Sequence, residues 1–210
     1  MMRRTQSIFF TLLLLCSTLP LSAQGTAEVW INKAVSLFQN KGSEVVFRID
    51  EEGYHISGKL LMEGNNYHFD TEEMKVWFDG TTQWTMQYDD EYCELYISNP
   101  TPEDQQSINP YLLLKNYKEH FTARDGSEKL ISGKPVHEVI LTAKDDQQEL
   151  SSLHVYIKSD GHIAALLLNF PDDREYKIDV RSMRSGLTFP KNTFTYSEKS
   201  VPADEVIDMR

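Results

Sequence analysis

The sequence predicts an α+β fold that is mainly β: an antiparallel sheet built from consecutive hairpins, with two short helices laid against it. Three observations predict it. Apolar residues alternate with polar ones in runs that recur at the roughly 8–12-residue rhythm of antiparallel sheets. Turn pairs of the D-G, E-G and D-D kind separate those runs. Only two windows, residues 27–41 and 110–121, carry apolar side chains at helical spacing.

The first residues are set apart from the fold. Arg3 and Arg4 precede a short apolar stretch over residues 8–16, and "LPLSAQ" offers a cut after Ala23. This pattern predicts a cleaved secretory signal peptide over residues 1–23, too short for a spanning helix. Residues 24–210 are then expected to form a single domain of an exported protein.

A helix is expected over residues 27–41. Trp30, Ala34, Leu37 and Phe38 form a stripe that Ile31 and Val35 widen, with Thr26 as cap and Gly42 as stop. Strands follow. "EVVFRID" alternates Val45, Phe47 and Ile49, "YHISGKLLME" places Tyr54, Ile56, Leu60 and Met62 on one face, and "NYHFDT" adds Tyr67 and Phe69. "MKVWFDGTTQWTMQYDD" reads as a hairpin about Asp79-Gly80, and "YCELYIS" as the next strand. Turns are expected at Glu52-Gly53, Glu63-Gly64 and Asp89-Asp90.

The proline-bearing run "NPTPEDQQSINP" cannot continue a strand. It leads to a second helix, "PYLLLKNYKEHF", with Asn109 as N-cap and Pro110 as first helical residue. Leu113, Tyr117 and Phe121 lie a turn apart on it. Hairpins then return as "KPVHEVILTA", "SLHVYIKS", "HIAALLLNF" and "REYKIDVRSM", joined at Asp145-Asp146, Asp160-Gly161 and Pro171-Asp172-Asp173. "FTYSEK" is expected to be a last strand and "ADEVIDMR" a closing segment.

One strand is apolar on both faces. With an even loop at Asp79-Gly80, Trp77, Trp84 and Met86 share one side, while Met74, Val76 and Phe78 occupy the other. A half-solvated antiparallel sheet has one polar face, so this sheet is expected to be covered twice. "HIAALLLNF" repeats the pattern. A closed barrel with ordinary apolar patches accounts for the same residues.

Composition narrows the partners. Loss of Arg3 and Arg4 with the leader takes the formal charge from −11 to −13. Such a chain is repelled by phosphate and anionic lipid, which argues against nucleic acid as a partner. The mature chain keeps one cysteine, Cys93, so no internal disulfide is expected. No catalytic signature is present: no H-E-x-x-H, G-x-S-x-G, phosphate-cradling glycine loop or C-x-x-C. The histidines are scattered without metal-ligand spacing, so no enzyme activity, metal or cofactor is expected.

The order of these motifs, and especially "DGTTQW", "NPYLLLKNY", "SDGHIAALLLNFPDDREYKID" and "FTYSEKSVPADEVIDMR", resembles the LolA family of periplasmic outer-membrane lipoprotein carriers, in its divergent Bacteroidetes-type form. The likeness spans essentially the whole mature chain. It implies an open antiparallel half-barrel with short helices covering the concave face and an apolar hollow for the acyl chains of lipoproteins. It further implies a monomer that takes cargo from an inner-membrane lipoprotein-releasing ABC transporter and delivers it to an outer-membrane acceptor, either a protein or the membrane itself. Related half-barrels act as periplasmic sensors of lipid or lipoprotein, which is the alternative reading. The family's latch arginine and adjacent proline are replaced here by Gly64, Asn65 and Asn66. On this resemblance the expected lipid-binding wall comprises Leu60, Met62, Tyr67, Phe69, Trp77, Trp84, Met86, Leu166 and Leu168, and the lid Trp30, Leu37, Leu113 and Tyr117.

Overall fold

The computed structural model describes residues 26–39, 41–51, 54–89, 92–101, 104–105, 109–146, 148–199 and 201–210. The leader, the Glu52-Gly53 turn and Asp90 lie outside the described residues. Alternating sequence becomes strand as expected: β1 (Gly42–Glu51), β2 (Tyr54–Glu63), β3 (Asn66–Thr71), β4 (Met74–Phe78), β5 (Gln83–Asp89) and β6 (Tyr92–Ser98) form one run of hairpins. After the second helix come β7 (Phe121–Ile131), β8 (Lys134–Ala143), β9 (Ser152–Lys158), β10 (Ile163–Asn169) and β11 (Glu175–Leu187), and β12 (Glu205–Asp208) closes the chain.

Among the described residues, all twelve strands join one open sheet in the order β12-β6-β5-β4-β3-β2-β1-β11-β10-β9-β8-β7. The two hairpin runs meet where β1 pairs with β11, and the sheet is an open half-barrel rather than a closed one. Pairing is antiparallel except at one edge, where β12 runs parallel to β6. Gly64 and Gly80 turn two of the hairpins at φ +62° and +97°, backbone angles that other residues rarely adopt.

Two helices of eleven residues each lie on the concave face, over the β7–β8 end. Helix α1 (Thr26–Ser36) buries Ala27, Ile31, Ala34 and Val35. Helix α2 (Pro110–His120) starts on Asn109, whose side chain accepts hydrogen bonds from the backbone N–H groups of Tyr111 and Leu112. Among the described residues, no helix is long and apolar enough to cross a membrane.

Three expectations are corrected. Helix α1 ends at Ser36, not Lys41: tight i→i+3 bonds from Leu37 to Ala34 and Phe38 to Val35 close it, and Gly42 opens β1 instead. A side chain at Gly42 would strike the Phe189 ring at 2.4 Å. Strand β7 was not expected at all, because it is a polar edge strand whose alternation is broken by a bulge. "FTYSEK" is a string of turns rather than a strand: Thr193 N–H bonds to the Pro190 carbonyl, and Tyr196 O–H to that of Val201. Its alternating aromatics imitate a strand, but they serve to place Phe194 and Tyr196 against Phe189 and Trp77.

Candidate functional site: an apolar hollow under the second helix

The register of the central strands builds two apolar rows on the concave face. Phe69, Leu60, Val45 and Met183 align across β3, β2, β1 and β11. Ile56, Ile49, Ile178, Leu166 and Val155 align across β2, β1, β11, β10 and β9. Strand β11 contributes from both parities because it bulges at Arg181, which lets Met183 join Ile178 and Val180 on one side.

The helices cover only the far end of this surface, so several of these side chains are left half-buried. The result is a hollow of about 420 Å³, within the size range of small-molecule sites. Its roof is thin: Leu113 and Leu114 from α2, Phe38 just past α1, and Leu150 from the loop between β8 and β9. Every lining side chain is apolar apart from His120, Gln148 and Glu149. These three gather where the end of α2 meets the β8–β9 loop, a junction closed by the Lys144 N–H bond to the His120 carbonyl at 2.9 Å. The site is therefore a greasy trough with one polar end, a shape that receives an amphiphile's tail and leaves its head in water. Among the described residues, no group of three or more His, Cys, Asp or Glu side chains converges as a metal site.

Of the expected lipid-contacting residues, Leu60, Met62, Phe69, Leu113, Leu166 and Leu168 line the hollow. Seven stand elsewhere. Tyr67 is fully buried against Phe78 and donates its hydroxyl to Gln83 at 2.6 Å, and that burial pushes its phenol pKa well up. Tyr117 is buried in the core on α2. Trp30 stacks on His137 of β8, and Leu37 sits half-buried in the turn after α1. Trp77, Trp84 and Met86 form a separate cluster with Leu95 on the opposite face of the sheet, covered by Tyr196, Val201 and Ala203 of the C-terminal segment. The face assignment follows from the β3–β4 register. Phe69 pairs with Val76 and Tyr67 with Phe78, so the concave side of β4 carries Val76 and Phe78 and turns Trp77 outward.

Sequence reasoning left out Val45, Phe47 and Ile49 from the wall, although their alternation in β1 was plain, and also Phe38, Ile178, Val180 and Met183. The first five were legible from periodicity alone. Val180 and Met183 differ in parity, so their shared face was hidden by the bulge.

A comparison with curated proteins finds no match. Among solved structures the chain is similar to the Pseudomonas aeruginosa MucA/MucB complex at 13% identity and a TM-score of 0.47, covering 83% of this chain and 62% of that one. The chain thus spans about three fifths of that relative's length. It is also similar to Mycobacterium tuberculosis lipoprotein LppX, with 13% identity, a TM-score of 0.48 and coverage of 79% and 97%. A LolA superfamily protein from Nitrosomonas europaea is similar at 11% identity and a TM-score of 0.40, with coverage of 81% and 97%. The family model described as "Outer membrane lipoprotein carrier protein LolA" matches residues 16–165, well over half of the 210 residues, and the chain belongs to that family.

Proposed function

We propose that the protein is a non-enzymatic periplasmic carrier that shelters the acyl chains of lipoproteins in the hollow and moves them from the inner to the outer membrane. The observation that carries this reading is the trough itself: half-buried aliphatic and aromatic side chains in register, closed on one side by a thin roof. Family membership supports it. On this reading an inner-membrane ABC transporter supplies the cargo and an outer-membrane acceptor takes it.

The energetics suit a shuttle. Each buried methylene is worth about 0.8 kcal/mol, so long chains represent tens of kcal/mol that water cannot supply. A carrier has to offset nearly all of that to extract cargo, and must not exceed it by much or it could not release it. Half-filled walls with Met62, Met183 and several aromatics adapt to more than one chain shape. On this reading α2 and the loop 148–150, which roof the hollow with Leu113, Leu114 and Leu150, swing outward to admit cargo. Opening there breaks mainly apolar contacts and a few surface bonds. The acidic exterior keeps an empty carrier off anionic headgroups.

Native mass spectrometry of the protein isolated from its own periplasm tests the reading. Bound lipoprotein, released when the hollow is filled by a charged side chain, is the expected result. A protein that emerges consistently empty, and that takes no lipoprotein from membranes carrying it, overturns the proposal.

A further inference from the structure

We propose that His137 is a protonation-controlled clasp that holds α1 against the sheet, and through Phe38 the wall of the hollow behind it. The proposal starts from the bulge in β7. Asp125 pairs with Val139 and Glu128 with His137, so Gly126 and Ser127 together face Glu138. In an unbroken strand, residues 125 and 128 would point to opposite faces. The extra residue restores their parity and turns both carboxylates toward His137. A Cβ at 126 would meet the Glu138 side chain at 2.5 Å, so any larger residue there would push that side chain aside.

His137 then has a carboxylate at each ring nitrogen: Nδ1 is 2.7 Å from Glu128 Oε1, and Nε2 is 2.8 Å from Asp125 Oδ1. An ionised carboxylate only accepts hydrogen bonds, so both nitrogens must donate, and only the imidazolium carries two protons. The same ring lies flat on the Trp30 indole of α1, with centroids 4.8 Å apart and planes 13° from parallel. Asp125 also accepts from the hydroxyl of Thr26, the first residue of α1. One protonated ring thus gathers the N-terminal half of α1 onto β7 and β8. Thr26 was expected to cap its helix and instead anchors it.

The other groups facing this cluster leave its control with His137. From α1, Lys33 lies 5.3 Å from the Trp30 ring centroid and donates to the Ser159 carbonyl. Glu28 of α1 pairs with Lys118 of α2. From β9, the partner of His137 is Ile157, which does not titrate. Burial alone would lower the pKa of His137, but Glu128 and Asp125 outweigh it and hold the group above its ordinary 6.5. A raised folded value means that the clasp is intact below the ordinary pKa and is lost as pH rises through the raised one. On deprotonation one carboxylate faces a nitrogen lone pair, and the cation on the indole is gone.

Hydrogen exchange of the α1 amides, corrected for intrinsic rate and compared from about pH 6 to about pH 9, tests the clasp. Protection of α1 should fall about tenfold on the alkaline side, the loss of one charge-assisted bond, while β1 and β2 stay constant. His137→Gln should show low, flat protection, and His137→Arg, which stays charged, should keep α1 protected at alkaline pH. Flat protection in the unmodified protein, or a Gln variant that titrates like it, overturns the proposal. The consequence for cargo rests on the acyl-site reading: a fluorescent fatty-acyl probe should leave faster at alkaline pH, and not from the Arg variant. If α1 titrates as described while the probe binds at no pH, the clasp stands and the acyl-site reading fails.

Discussion

Trp77 and Trp84 stand directly opposite each other across β4 and β5, and both face away from the hollow. The doubly apolar strand is thus explained by two ordinary cores. Val76 and Phe78 pack inside, while Trp77 packs outside beneath the C-terminal segment, edge-on to Tyr196 at 5.5 Å. Trp77→Ala should therefore lower the unfolding free energy by about 3–5 kcal/mol, read as a shift of the urea midpoint. The folded variant should bind a fatty-acyl probe as the unmodified protein does. A selective loss of probe binding at unchanged stability would place this cluster in the site after all.

Leu113 gives the complementary case. It projects from α2 into the hollow yet is only half-buried. Leu113→Glu leaves its charge within reach of water when the site is empty, so far-UV circular dichroism and Tm should change little. Loading an acyl chain would bury that charge, at a cost of at least about 2 kcal/mol. Probe affinity should fall roughly thirtyfold or more.

Much of the sheet was legible because side-chain direction repeats every two residues, and β1 and β2 keep that period over the stretch that faces the hollow, whereas β10 breaks it between Ile163 and Ala165. Four things were not legible. A hairpin fixes which residues share a face, but the tight turn between β3 and β4 decides which face is concave, and one residue more or less there would exchange Trp77 for Val76. Bulges reset parity without a sequence signal of their own, which hid Met183 in β11 and brought Asp125 and Glu128 together in β7. Edge strands need no apolar alternation, so β7 gave no strand signal. The hollow is a property of where α1 and α2 stop covering the sheet, and no local pattern encodes that boundary.

Asn109 was legible as a cap, and the structure shows how much depends on it. The residue is 1% exposed, and its Oδ1 accepts from Tyr111 N–H at 3.0 Å and Leu112 N–H at 3.4 Å. Asn109→Ala should cost about 1–2 kcal/mol of stability by chemical denaturation. The loosened α2 should also raise probe off-rates, since Leu113 and Leu114 sit in the first turns of that helix.

Glu138 makes acid stability a test of the outer face. It is 3% exposed on β8 and is the focus of a polar cluster: His154 Nδ1 lies 2.9 Å from Oε1, Lys129 Nζ 3.0 Å from Oε1, and Ser127 N–H donates to Oε2 at 3.1 Å. Burial by itself would raise the carboxyl pKa above its ordinary 4.5. The bonds from His154, Lys129 and Ser127 outweigh burial and bring it down to about 2. A depressed folded value means that the contribution is complete above the ordinary pKa and is lost as pH falls toward about 2. Urea midpoints should therefore drop steadily between those limits. Glu138→Gln removes the charge but keeps an acceptor for Ser127, so it should be less stable near neutral pH by about 1–3 kcal/mol. Its deficit should shrink as acid protonates Glu138 in the unmodified protein. Parallel pH profiles for the two proteins would mean that Glu138 does not carry the acid transition.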